Sequence, residues 1–439
     1  MQEAAEGDAE IEQRTLLKAS WRLLPLIAVG YGIAYMDRVN ISFASATMNL
    51  DLHFSAAVYG LGGGLFFLSY ALFEVPSNLL LVRFGARRWI ARIMLTWGVL
   101  AIGMMLVRTP LQFYGMRFLL GAAEAGFFPG IIYYLTHWFP AAHRGRAITR
   151  FYIAWPISQV VMGALAGALL GLEGRLGLSG WQWLFLVEGL PAVLMSVVFL
   201  YFLPDGPAEA KWLSAEERGW LARRLAADAA ALGPQSDHNI FRALLNPLVL
   251  LLSIVNFLVL GSWYAFTLSA PELLDQATHL GATRVGFLVS GAGALAGVAM
   301  LLNGWLSDRN RERYVHLIIP LGLMAIAYAV MSMTDNPVAV MVSYVAAVMC
   351  NAGIAAVFWL VPGDLLHPRF AAVSIAAINA IGQLGSFFSP YAWGLAKTYT
   401  GSFHVGLTVL PIPFLIAAVL VFVLRSRAMA QAPPSPVSV

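Results

Sequence analysis

Apolar runs of about twenty residues recur along the whole chain, each long enough for a helix to cross the hydrocarbon core of a bilayer. They predict twelve membrane-spanning helices, at roughly 21–47, 57–82, 89–108, 111–138, 146–172, 182–203, 244–270, 282–306, 314–334, 337–362, 371–396 and 403–425. One long polar stretch, 204–243, interrupts the series and divides it into two sets of six spans. The pattern therefore reads as an N-terminal tail (1–20), a first bundle (21–203), a central loop (204–243), a second bundle (244–425) and a C-terminal tail (426–439). Within the central loop, Ser214 precedes Glu217 by three residues, a capping-box spacing. Trp220, Leu221 and Leu225 add a narrow apolar stripe, which predicts a short amphipathic helix lying on the membrane surface. The Pro- and Ser-rich residues after Arg427 predict disorder.

Composition makes the membrane reading firm. With 59% hydrophobic and 11% charged residues, the chain is far more apolar than a soluble protein of its size. Four basic residues, Arg108, Arg175, Arg284 and Lys397, fall in loops on one side of the predicted spans, and Arg38 and Arg117 lie inside spans. All the others of the 27 lysines and arginines fall on the opposite side. The positive-inside rule then predicts that both termini and the central loop are cytoplasmic. This distribution also argues against nucleic acid as the reason for the basic balance. A single cysteine, Cys350, excludes an internal disulfide and a multi-thiolate metal site. The first twenty residues lack a basic n-region and a small-residue cleavage site, so no cleavable signal peptide is expected.

Against this background four ionisable residues stand out: the adjacent Asp37-Arg38 in the first span, and Arg117 and Glu124 in the fourth. A charge at bilayer depth costs several kcal/mol unless it pairs or faces water, which marks such groups as candidates for a substrate or proton path. Tyr31, Tyr35, Arg38 and Ser42 share one helical face, whereas Asp37 points about 100° from Arg38 and must address another neighbour. Depth and direction of the two spans predict two pairs, Asp37 with Arg117 and Arg38 with Glu124. In such a network, protonating an acid releases its arginine for a substrate carboxylate. Arginine suits that role because its planar fork binds a carboxylate bidentately and stays charged, so Arg38 is the expected anion ligand. The rival reading is that these charges only staple two helices, a task that apolar packing performs better. Glu74 and Glu188 read as structural partners. The second bundle carries no charge near the middle of its spans and offers Asn256, Asn351, Trp359, Asn379, Gln383 and Ser386 instead. Gln383 lies one turn from Asn379 on the same face.

Two basic turns occupy equivalent places in the two halves: Arg83-Phe84-Gly85-Ala86-Arg87-Arg88 after the second span and Gly304-Trp305-Leu306-Ser307-Asp308-Arg309 after the eighth. Together with Tyr35-Met36-Asp37-Arg38-Val39-Asn40, Arg117 to Pro129, and Asn379-Ala380-Ile381-Gly382, they make the chain resemble the major facilitator superfamily, and within it the anion:cation symporter branch. The resemblance implies an all-α fold of two pseudo-symmetric six-helix bundles that work by alternating access. It implies a monomer in a bacterial inner membrane that imports a small organic anion such as a sugar acid, tartrate or an aromatic carboxylate with protons, without a cofactor. Asp37, Glu124 and Arg117 would then couple protons, while Arg38, Tyr35, Tyr70, Gln159, Trp359, Asn379 and Gln383 would contact substrate. Arg83, Gly85, Arg87, Arg88, Gly304, Asp308 and Arg309 would gate. The chain departs from the family turn where Asn78 and Val82 replace glycine and aspartate, and Trp155-Pro156 departs in the fifth span. That tryptophan is either packing or a wall suited to an aromatic acid.

Other classes fit less well. An ATP-driven pump needs a phosphate loop ending in Gly-Lys-Ser/Thr, and none of Lys18, Lys211 and Lys397 follows a glycine. An intramembrane enzyme needs a metal cluster or an activated nucleophile, and the pattern offers neither. An uncoupled facilitator and a transporter-like nutrient sensor remain as alternatives.

Overall fold

A computed structural model describes residues 2–232, 246–365 and 368–431. Its first part runs α1 (Gln2–Asp51), α2 (Ala56–Phe84), α3 (Ala86–Gly103), α4 (Pro110–Glu124), α5 (Phe127–Thr136), α6 (Ala141–Tyr152), α7 (Ala154–Leu170), α8 (Gly180–Phe202) and α9 (Ala215–Leu232). The second part runs α10 (Pro247–Thr267), α11 (Ala270–Thr278), α12 (Ala282–Asn310), α13 (Val315–Met333), α14 (Pro337–Phe358), α15 (Leu360–Leu365), α16 (Pro368–Thr400), α17 (His404–Val409) and α18 (Pro411–Gln431). Among the described residues eleven helices or helix pairs are long and apolar enough to cross a membrane. The helix at the place of the remaining expected span is α16, whose apolar run is interrupted by Asn379, Gln383, Ser386 and Ser389. The protein is a multi-pass, all-helical membrane protein.

Two compact units partition the chain. One comprises residues 1–54, 61–236 and 282–290, the other 55–60, 237–281 and 291–439. In the first unit, α8 packs against α3 and α1, and α7 packs against α1. Small residues set the closest approaches: a Cβ on Gly121 of α4 would lie 2.1 Å from the Phe66 carbonyl oxygen of α2. In the second unit, α10 packs along α16 and α13 along α14 and α18.

Three boundaries differ from the sequence expectation. The segment taken as an N-terminal tail is helical from Gln2 and continues without a break into the first span. At the other end, α18 runs on to Gln431, so the expected disordered tail is helical at its start and otherwise lies outside the described residues. The fourth span is broken in two. Ala125 turns extended at ψ 132° and Gly126 takes φ +87° before α5 begins, with Pro129 in the first turn of α5, where its missing N–H costs no helical hydrogen bond.

The helix expected in the central loop exists as α9, capped as its spacing required: Ser214 Oγ accepts from Glu217 N at 3.1 Å and Glu217 Oε2 from Ser214 N at 2.8 Å. Its apolar stripe does not lie open to lipid. Trp220 and Leu221 are buried, and α9 packs on the N-terminal extension of α1. There Glu217 accepts from Arg14 Nε at 2.9 Å and Lys18 Nζ at 2.7 Å. Burial disfavours the Glu217 charge, but Lys18, the Ser214 N–H and Arg14 outweigh it and hold the carboxyl below the usual range. The expected residues 233–243 of the loop lie outside the described ones.

Candidate functional site

The first unit concentrates charge in its interior. Arg38, in the last third of α1, crosses to the last residue of α4, where Glu124 Oε1 accepts from its Nε at 3.0 Å and also from its Nη2. Glu124 is fully buried, while the Arg38 side chain keeps 13% of its surface exposed. The guanidinium lies over Tyr70 of α2, with Cζ 4.9 Å from the ring centroid, and 5.8 Å from Phe66. Arg117, two turns back along α4, places its guanidinium 4.7 Å from the same Phe66 ring. One phenyl ring thus lies beside two cations, a cation–π arrangement favoured where water is scarce.

Asp37 faces away from this pair, as the 100° step requires. Its oxygens accept from Trp97 Nε1 of α3 at 2.6 Å and from Asn40 Nδ2 at 3.0 Å. The expected direct pair of Asp37 with Arg117 is therefore not made: Arg117 Nε donates instead to the Gly62 carbonyl at 3.3 Å. Arg117 still lies within electrostatic reach of both Asp37 and Glu124. The sequence reading missed Trp97, Phe66 and Asn40 because an indole, a phenyl ring and an amide in apolar helices carry no periodic signal of their own. Only the unmet need of Asp37 for donors pointed to them.

On the other faces of α1, Tyr35 accepts at its hydroxyl from Gln159 Nε2 of α7 at 2.9 Å and meets Trp155 edge-on at 5.9 Å. Tyr31 joins an aromatic cluster with Phe128, Phe151 and Tyr152, at centroid distances of 5.6, 4.7 and 5.8 Å. Ser42 turns back on its own helix, donating to Val39 O. The expected common face is thus divided between an aromatic end and an ionic end. Glu74, one turn beyond Tyr70, and Glu188 of α8 are both buried.

The second unit answers with neutral groups. Asn256 of α10 donates to the Ile378 carbonyl of α16 at 3.0 Å, beside Gly382, and Gln383 is buried one turn after Asn379. Trp359, at the junction of α14 and α15, meets Phe358 edge-on at 5.1 Å. Asn303, which sequence reasoning passed over, donates to His316 O at 2.9 Å and Gly353 O at 2.8 Å, tying α12 to α13 and α14.

The two basic turns differ in detail. After α2, Gly85 takes φ +87° and caps α3, and a Cβ there would sit 3.0 Å from Asp205 Oδ1. Asp205 accepts from Arg87 N at 2.8 Å, and the Arg87 guanidinium reaches Asp205 and Glu209 at 3.6 and 3.5 Å. Arg83 lies over Phe84, and Arg88 is exposed. The aspartate absent at Val82 is thus supplied from the segment after α8. After α12, Asp308 pairs with Arg313, Arg309 covers Trp305, and Glu312 accepts from Arg425 of α18 at 3.0 Å. Gly304 sits at the last turns of α12 facing Ala356.

A family model for the Major Facilitator Superfamily matches residues 27–390. The chain belongs to the Major Facilitator Superfamily. Within the superfamily it is 43% identical over 418 residues to a protein of Agrobacterium vitis named for tartrate transport, with 94% of this chain and 92% of that protein covered. It is 40% identical to a metabolite transport protein of Pseudomonas putida named NicT, over 93% and 94% of the two chains. It is 39% identical to a quinolone resistance transporter of Acinetobacter baumannii, over 95% and 96%. Solved facilitator structures share its fold at low identity. The xylose transporter XylE of E. coli in a partially occluded, inward-open form matches at TM-score 0.73 and 15% identity, covering 92% of this chain and 97% of that one. A bacterial homologue of the lysosomal transporter Spinster matches at TM-score 0.74 and 18% identity, covering 94% and 98%. The protein is a membrane transporter and not an enzyme.

Proposed function

We propose that this transporter imports an organic carboxylate by proton symport through alternating access, as a member of the anion:cation symporter branch in a bacterial inner membrane with both termini cytoplasmic. The observation that carries the reading is the asymmetry of the Arg38–Glu124 pair: the arginine is partly exposed and its carboxylate partner has no exposed surface. A substrate carboxylate arriving from the open side competes with Glu124 for the same guanidinium. Protonation of Glu124 removes the competitor, so proton and anion bind together, and release of one favours release of the other. Arg117 supplies positive potential behind the pair and Asp37 a second carboxyl within its reach. Tyr35, Tyr70 and Gln159 would supply hydroxyl and amide contacts to the substrate, and Trp359, Asn379 and Gln383 its selectivity. The relative named for tartrate transport supports a hydroxylated dicarboxylate as the first solute to test. The tyrosine, tryptophan and phenylalanine side chains around Tyr31 and Tyr35 support aromatic acids as the second.

The test is thermal-shift stabilisation of the purified protein by tartrate, sugar acids and aromatic carboxylates, followed by uptake into proteoliposomes with and without an uncoupler. Stabilisation by one class that vanishes in Arg38→Ala, with uptake that collapses when the proton gradient is dissipated, is the expected result. Uptake indifferent to the uncoupler identifies a facilitator. Stabilisation that survives Arg38→Ala moves the anion away from Arg38.

A further inference from the structure

Beyond the Arg38–Glu124 pair, the first unit buries two further acids, Asp37 and Glu188, neither of which hydrogen-bonds to a base among the described residues. Glu188 of α8 keeps 3% of its surface exposed, and neither of its oxygens accepts a hydrogen bond among the described residues. α8 packs antiparallel along α1: a Cβ on Gly30 would lie 2.7 Å from the Phe199 ring, and Trp181 Nε1 donates to Asp51 Oδ2 at 2.8 Å, a register that brings Glu188 level with the stretch of α1 that carries Asp37 and Asn40, where Asp37 acts on it as a like charge. The Asn40 nitrogen is committed to Asp37 at 3.0 Å. Its Oδ1 is buried and takes no donor among the described residues, and the amide borders Glu188 without meeting hydrogen-bond geometry. From α3 the facing polar group is Trp97, which donates to Asp37 at 2.6 Å. The arginines of α3, Arg87, Arg88 and Arg92, lie in its first two turns, and Arg92 turns to Trp89 with Cζ 4.0 Å from the ring centroid. From α7 no titratable side chain is available. Contact between α3 and α8 is tight, since a Cβ on Gly189 would lie 2.9 Å from the Gly98 carbonyl oxygen.

Besides Glu74 of α2, three buried carboxyls, Asp37, Glu124 and Glu188, therefore share the interior with two guanidiniums, Arg38 and Arg117. Arg38 is engaged by Glu124, and Arg117 reaches Asp37 and Glu124. Two neighbouring carboxylates in a dry interface cannot both ionise without a large penalty. We infer that Asp37 and Glu188 form a site that binds a single proton, with Asn40 as the amide that hydrogen-bonds to both carboxyls whichever of them holds it. With the proton on Glu188, its hydroxyl donates to Asn40 Oδ1, Asn40 Nδ2 donates to Asp37, and the orphaned amide oxygen gains its partner. With the proton on Asp37, a half-turn of the amide reverses both hydrogen bonds: Asp37 donates to Oδ1 and Nδ2 donates to the ionised Glu188. The two states differ only in which carboxyl carries the O–H and in the rotamer of the Asn40 amide, and no other group changes charge. Such a pair titrates as a unit.

The site stands on its own geometry, and only its use in coupling rests on the symport reading. A test without any solute keeps the two apart. Infrared spectra of the purified full-length protein in nanodiscs, at mildly alkaline pH where surface carboxylates are ionised, should contain a protonated-carboxyl carbonyl band. That band should be lost in Glu188→Gln and equally in Asp37→Asn, because either amide removes one of the two carboxylates whose repulsion holds the proton. In Asn40→Leu it should persist at higher frequency, its hydroxyl having lost an acceptor. A wild-type spectrum with no such band, or a band unchanged by Glu188→Gln, overturns the site. Loss in Glu188→Gln with retention in Asp37→Asn assigns the proton to Glu188 alone and overturns the sharing.

Discussion

Among the described residues, both units bury hydroxyls and amides, but only the first also buries carboxylates and a guanidinium. In the first, carboxylates and guanidiniums sit at helix–helix contacts: Arg38, Arg117, Glu124, Asp37 and Glu188. In the second, the corresponding interior holds amides and hydroxyls, with Asn256 fastened to the α16 backbone and Gln383 and Ser386 buried. Charges buried at this depth are expensive and persist where they change partner or protonation state, whereas an amide can be satisfied once and left alone. On the proposed symport reading, the energetic work of coupling would belong to one unit and the shaping of selectivity to the other.

The largest effect that tests this division is expected from Arg38→Ala. It removes the anion ligand and leaves Glu124 buried without its partner, a loss of about 3–5 kcal/mol for a broken buried pair. Proteoliposome uptake of whichever carboxylate stabilises the wild type should fall by at least a hundredfold. The same measurement on Asn379→Ala should fall only about tenfold, the value of one neutral hydrogen bond. Equal losses in the two variants would erase the distinction between the units.

Glu124→Gln separates coupling from binding. The amide keeps the shape and loses the charge that holds Arg38, so counterflow of labelled solute should continue while uphill uptake driven by an imposed proton gradient drops about tenfold or more. Gradient-driven uptake at the wild-type level would remove Glu124 from the coupling path.

These ionic groups were also where the sequence spoke most clearly. Span positions, the Arg38–Glu124 contact and the Ser214–Glu217 cap follow from periodicity and spacing, because each is local or is forced by the cost of a buried charge. The break at Ala125–Gly126, the helical N-terminal extension and the choice of Trp97 over Arg117 as the donor to Asp37 do not. They depend on which of several chemically adequate neighbours tertiary packing brings close. Gly126 illustrates the limit: its glycine and the nearby Pro129 were visible, yet only the fold shows a positive φ with Ser77 Oγ 2.4 Å from the position a Cβ would take.

Two smaller effects concern how the charged interior is held. Trp97→Phe deletes the indole N–H from Asp37, a hydrogen bond to a charged acceptor worth about 1.5–3 kcal/mol. Its melting temperature in detergent should drop by several degrees with Arg38-dependent ligand stabilisation retained. Gly126→Ala should cost about 1–2 kcal/mol through the left-handed backbone alone, plus the clash with Ser77. A neutral result there would mean that α4 and α5 can join into a continuous helix.

The smallest expected effect comes from a carboxylate with two basic partners at the water's edge, the counterpart of Glu124 outside the membrane. Glu217 is held by Lys18, Arg14 and the Ser214 N–H, and its carboxyl titrates below the usual range. A depressed folded-state value means that its contribution to stability is fully present above the ordinary glutamate value of about 4.3. It is lost as pH falls from there through the lowered folded value. Ser214→Ala removes the hydroxyl half of the cap and should cost about 1 kcal/mol, while Glu217→Gln should flatten the acid limb of the melting curve and leave proton-driven uptake at neutral pH unchanged. If Glu217→Gln instead impaired coupling as Glu124→Gln does, a place within the spans would not be what distinguishes a working carboxylate from a structural one, and the contrast would have to be sought in the partners alone.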